Sequence, residues 1–243
     1  MAAITADTLS RAPAGATKTR PRWIDDWRPD DEVFWATTGE RIARRNLIFS
    51  IFSEHIGFSI WSLWSVFVLF LGPAYGLDPA QKFLLTTLPT GVGAAMRLPY
   101  TFAVAKFGGR NWTIISAALL LVPVTAAAFV LHPGVSFGTL LLVASLAGVG
   151  GGNFSSSMAN IDSFYPQRLK GWALGLNAGG GNLGVAAVQL AGLAVLATAG
   201  QDHPRVLLAV YVPLIVLATV GALRYMDNLT SATNEKRAMR DVL

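Results

Sequence analysis

Six apolar runs, each of about 20 residues or more, fill most of this chain and leave only short breaks between them. They cover approximately 46–71, 79–105, 112–131, 137–164, 172–197 and 206–223. A helix needs about 20 predominantly apolar residues to cross roughly 30 Å of bilayer hydrocarbon, and each run is near that length. A closed barrel, the other spanning design, needs polar and apolar residues in alternation. No such alternation is present. The breaks carry turn signals: Gly72-Pro73, His132-Pro133-Gly134, Pro166 and His203-Pro204. The pattern predicts an all-α integral membrane protein of six transmembrane helices.

Composition supports this reading. Charged residues make up 14% of the chain, against about 25% in an average soluble domain, so the lipid bilayer must cover what water cannot. The absence of cysteine removes disulfide frameworks, thiolate metal sites and cysteine nucleophiles. His55, His132 and His203 are too scattered to suggest a metal cluster. No metal or cofactor is expected. No Ser–His–Asp arrangement, His-Glu-x-x-His run or Walker loop points to an enzyme.

The net charge of +5 is explained by topology rather than by nucleic acid. Sixteen of the nineteen basic residues lie before the first run, in the second and fourth loops (Lys106, Arg110, Arg168, Lys170) or in the tail. The alternate loops hold only Lys82 and Arg205. This bias predicts both termini in the cytoplasm. The expected organisation is a cytoplasmic segment over 1–45, a transmembrane bundle over 46–226 and a cytoplasmic tail over 227–243. Residues 1–20 lack the apolar core of a signal peptide and are expected to be disordered. Trp23, Trp27, Phe34 and Trp35 stand among charges, consistent with an amphipathic helix at the interface or with a mobile tail.

The remaining basic residue, Arg97, falls inside a run, roughly 13 Å from the cytoplasmic end at 1.5 Å per residue. An intramembrane arginine is costly and usually lines a pathway, a structural ion pair or water defect being the plainer readings. Glu54, Asn153 and Asn177 lie at similar depths by the same count. A guanidinium can give two parallel hydrogen bonds to a planar oxyanion, and amides can add donors, which favours a small anion. The fifth run carries Gly171, Gly175 and Gly179 at intervals of four, and also Gly180 and Gly184. Small residues so spaced permit close helix packing or sliding. The partial Gly-x-Gly pattern at Gly148 follows no strand and is not a dinucleotide loop.

The runs Gly151-Gly-Asn-Phe-Ser-Ser-Ser-Met-Ala-Asn-Ile161 and Ala173-Leu-Gly-Leu-Asn-Ala-Gly-Gly-Gly-Asn-Leu-Gly184 resemble the nitrate-signature region of nitrate/nitrite porters, within the major facilitator superfamily. Arg97-Leu-Pro-Tyr-Thr-Phe102 and Phe107-Gly-Gly-Arg-Asn-Trp112 are similar to that family's second helix and following loop. The resemblance implies one six-helix half of a twelve-helix, inner-membrane transporter built from inverted repeats. It implies that Arg97 holds nitrate or nitrite, that Asn177 contacts the anion and that Phe58 stacks on it. Val149 stands where some members place a site phenylalanine. The charged tail falls where the family has its central loop, so a second half is expected as a partner, either another chain or a second copy. Glu54, one turn from Phe58, would pair with Arg97 in the empty site and take a proton as the anion binds; a permanent ion pair is the alternative. Two other functions stand beside transport: a truncated form without transport, and a membrane scaffold or anion sensor acting through the Trp-rich segment.

Overall fold

The computed structural model describes residues 20–233. The expectations for residues 1–19 and for the 234–243 tail lie outside them.

Helices make up nearly all of the described chain. The Asp31 carboxylate accepts a hydrogen bond from the Phe34 N–H at 3.0 Å and caps α1 (Glu32–Phe34). A π-helical turn (Trp35–Gly39) leads from there into α2 (Glu40–Trp61), which α3 (Leu63–Phe67) extends. A capping box opens α4 (Pro79–Phe107): Asp78 accepts from the Gln81 N–H at 2.7 Å and Gln81 accepts from the Asp78 N–H at 3.1 Å, with Pro79 in the first turn. Gly108, at φ +85°, ends it where a side chain would be strained. Next come α5 (Gly109–Leu119) and α6 (Leu121–Val130), which form one rod. A second rod joins α7 (Phe137–Leu146), a 3₁₀ stretch (Ala147–Gly152) and α8 (Asn153–Phe164). Pro166 precedes α9 (Gln167–Ala199), and α10 (Pro204–Tyr225) follows a turn at Gly200.

Four of these rods are long and apolar enough to cross a membrane: Gly109–Val130, Phe137–Phe164, Gln167–Ala199 and Pro204–Tyr225. The first two predicted runs are helical but fall outside that set. The reason is compositional: α2 carries Glu54, His55 and several serines, and α4 carries Lys82 and Arg97. Large apolar side chains cover the outside, among them Phe129 at 80% and Leu98 at 71% exposure. A surface so apolar belongs in lipid.

Close helix packing uses glycine. At Gly184 a Cβ would lie 2.1 Å from the His55 carbonyl oxygen, so α9 meets α2 backbone to backbone. At Gly150 it would lie 2.2 Å from the Gly57 carbonyl oxygen, which brings the 3₁₀ stretch equally close to α2. Gly180 makes room for the Ile51 side chain, whereas Gly175 and Gly179 have nothing within 4 Å of the Cβ position.

The core has two parts. The larger lies along the bundle and includes Trp64, Phe67, Leu120, Val124 and Ile215. The smaller closes the end where the chain enters and leaves, and includes Ile24, Trp35, Phe164, Tyr165 and Leu229. There β1 (Trp23–Ile24) pairs in parallel with β2 (Asn228–Leu229). The aromatic residues read as candidates for an interfacial helix pack into this end: Trp27 meets Phe34 and Phe164 edge-on at 5.3 and 5.4 Å, and Trp35 lies 5.5 Å from Tyr165.

Candidate functional site

The site grows from the crossing of α2, α4 and the 3₁₀ stretch. At Gly93 a Cβ would lie 2.2 Å from Trp61 Nε1, so the indole occupies the room that a side chain would take. Trp61 Nε1 then donates to the Pro89 carbonyl at 2.9 Å, which holds the ring against α4. Arg97 follows Gly93 by four residues and therefore rises on the same face. Its Cζ sits 5.7 Å from the Trp61 ring centroid and 5.0 Å from that of Phe154. Cation–π attraction of this kind contributes about 0.5–2 kcal/mol, more as the site dries.

Phe58 backs this arrangement. It is 1% exposed, lies 5.1 Å from Trp61 and stacks on Phe154 at 6.1 Å with planes 17° apart. Trp61 and Phe154 are the rings that meet the guanidinium; Phe58 meets the two rings. Arg97 itself is half-buried, and its Nε has no hydrogen-bond partner. No carboxylate comes within 4 Å of it among the described residues. A guanidinium held over aromatic faces, with donors uncommitted, can receive a planar oxyanion in two parallel hydrogen bonds.

A second polar cluster lies one turn away, where α2, α8 and α9 meet. Glu54 is 0% exposed. Its Oε2 accepts from Ser157 Oγ and, at 2.7 Å, from Asn177 Nδ2. Asn177 Nδ2 also donates to Ser157 Oγ at 2.8 Å, so both amide hydrogens are used. Glu54 Oε1 and Asn177 Oδ1 are buried without partners. Gly181 makes room for the carboxyl: a Cβ there would stand 2.4 Å from Glu54 Oε1.

The structure thus brings Glu54 and Asn177 together and sets Arg97 apart from both. The expected Glu54–Arg97 ion pair is not formed within 4 Å, although Arg97 still acts on Glu54 through space. Asn153, at similar depth, packs into the notch at Gly57, where a Cβ would lie 2.4 Å from its Nδ2. Val149 packs against the large core. Trp61 and Phe154 were not singled out from sequence. A signal was available: Trp61 follows Phe58 by three residues, and Phe154 lies inside the Gly151–Ile161 run.

Residues 47–241 match the family described as Major Facilitator Superfamily. The chain belongs to that superfamily. Among curated superfamily members it is 39% identical over 226 residues to the nitrate/nitrite transporter NarU of Salmonella typhimurium, and likewise to NarU of Escherichia coli. It is 40% identical over 170 residues to the probable nitrate/nitrite antiporter NarK2 of Thermus thermophilus. The NarU matches take in 86% of this chain but 49% of each relative, and the NarK2 match takes in 69% and 38%. The chain spans about half the length of these relatives. Membership of the superfamily makes the apolar helical bundle a membrane fold.

Proposed function

We propose that this chain is the amino-terminal six-helix half of a nitrate/nitrite transporter, set in the cell's inner membrane with both termini cytoplasmic. In this reading α2–α3 and α4 also span the bilayer, and their polar residues face the interior of the assembled protein. The observation that carries the proposal is the Arg97 guanidinium: it lies over the rings of Trp61 and Phe154 and has no carboxylate within 4 Å among the described residues. The names of the relatives supply the substrate, nitrate or nitrite. Arg97 clamps the planar anion through paired N–H donors. Trp61 and Phe154 flank it and exclude water, and Phe58 keeps their rings in place.

Asn177 takes a different role from direct contact with the anion. Both its donors are engaged, so it holds Glu54 at the level of the site. Glu54 supplies the coupling. Its charge is answered only by neutral donors and a distant Arg97, and a bound anion takes Arg97's charge for itself. Protonation of Glu54 then restores neutrality, so that proton and anion move together. The open stripe of Gly171, Gly175 and Gly179 faces a second half, and Gly180 and Gly184 let α9 slide along α2 as the halves rock.

The test is nitrate uptake into cells lacking other carriers. The chain is expressed alone and together with the complementary half of a relative. Uptake is expected only with both halves, and Arg97→Lys should lower it by more than about tenfold, because an ammonium cannot reproduce the planar fork. Unchanged uptake by Arg97→Lys removes the anion site; uptake by the chain alone removes the need for a second half.

A further inference from the structure

We infer that the amino end of α2 holds the phosphate of an anionic lipid headgroup. A cavity of about 360 Å³ opens there, with walls that include Thr37, Thr38, Glu40, Arg41, Arg44 and Ile48. The residues from Ala36 to Thr38 come from the π-helical turn (Trp35–Gly39), a deformation of the helix found frequently at functional positions.

Charge and register identify the occupant. Arg45 is engaged by Asp227, whereas Arg41 and Arg44 are exposed and have no ion pair among the described residues. Against the single carboxylate of Glu40, these two arginines leave one net positive charge, matching the single negative charge of a phosphodiester. Arg45, in the same helical turn as Arg44, reaches Asp227 just past the end of α10. The basic residues therefore lie where the apolar helices stop. One turn deeper, Ile48 is 52% exposed.

Arg41, Arg44 and Ile48 are spaced i, i+3, i+7 and form one stripe. Further along the same stripe α9 closes over α2, where Ile51 and His55 meet Gly180 and Gly184, and on another face Phe49 meets Gly221 of α10. As far as Ile48 the stripe is cationic at the headgroup level and apolar one turn below it, the profile of a phospholipid headgroup and the first methylenes of its chain. A free phosphate would have no use for Ile48. Basic pockets beside transmembrane helices on the cytoplasmic side are a known setting for anionic headgroups. The inference rests on the membrane setting and orientation, and is independent of the nitrate reading.

Native mass spectrometry of the detergent-purified full chain tests it, with phosphatidylglycerol, phosphatidylcholine or inorganic phosphate added. One phosphatidylglycerol should be retained in preference to phosphatidylcholine. R41Q/R44Q should lose that preference, at roughly fivefold per arginine, while K106Q/R168Q, with the same loss of charge on the same side, should keep it. Equal losses in both variants would reduce the effect to surface charge and overturn the site. So would absence of any preference, or occupancy by inorganic phosphate without lipid retention.

Discussion

Among the described residues two carboxylates, Glu54 and Asp227, have no exposed surface, and they are held in opposite ways. Asp227 lies past the end of α10 and is met by Arg45 and, at 3.7 Å, by Arg22; its backbone N–H donates to Asn46 Oδ1 at 2.9 Å. Glu54 lies mid-helix and is met by a serine, an amide and no cation within 4 Å. A buried charge is kept when it is paired, and removing one partner of such a pair is strongly destabilising. Asp227 is therefore a fixed charge that ties the amino-terminal strand to the segment after α10. Glu54 is surrounded by groups that serve a neutral carboxyl as well as a charged one. The same functional group fastens one end of the molecule and remains available for chemistry in the middle.

The contrast can be broken at either carboxylate. Asp227→Asn leaves two arginines facing an amide and should cost about 2–3 kcal/mol, read as a lower melting temperature of the purified full chain in detergent. A melting temperature equal to wild type would mean that the paired charge fastens nothing. A smaller loss, about 1–2 kcal/mol, is expected for Gly181→Ala, because its Cβ would stand 2.4 Å from Glu54 Oε1 and the carboxyl must move. If Gly181→Ala melts with wild type, the carboxyl is not confined as described.

Much of this was legible in the amino-acid order. The runs at 112–131, 137–164, 172–197 and 206–223 reappear as the four rods able to cross a membrane. Apolar length is a local property, and lipid enforces it. Arg97, Glu54 and Asn177 stood out for the converse reason, as polar groups where the solvent is hydrocarbon. Their pairing was not legible. Depth along a helix follows from counting, but facing direction follows from how Gly150, Gly181 and Gly184 let the helices meet, and that set Glu54 beside Asn177 rather than Arg97. Trp61 and Phe154 were hidden because aromatic residues in apolar helices look like core. The strand pair was hidden by distance: Trp23 meets Asn228, and nothing local to either residue announces the other.

The smallest expected effect on stability is also the most informative about mechanism. Glu54→Gln keeps a carbonyl oxygen to accept from Ser157 and Asn177 and changes only the oxygen that has no partner. Stability should change by no more than about 1 kcal/mol. Uptake by the paired halves should change in kind: wild type should speed up when the outside is acid, because proton and anion enter together, and Glu54→Gln should ignore the gradient while still binding nitrate. A Glu54→Gln protein that keeps its response to pH assigns the proton elsewhere. One that melts as early as Asp227→Asn shows instead that Glu54 carries a permanent charge, and the distinction between the two carboxylates is lost.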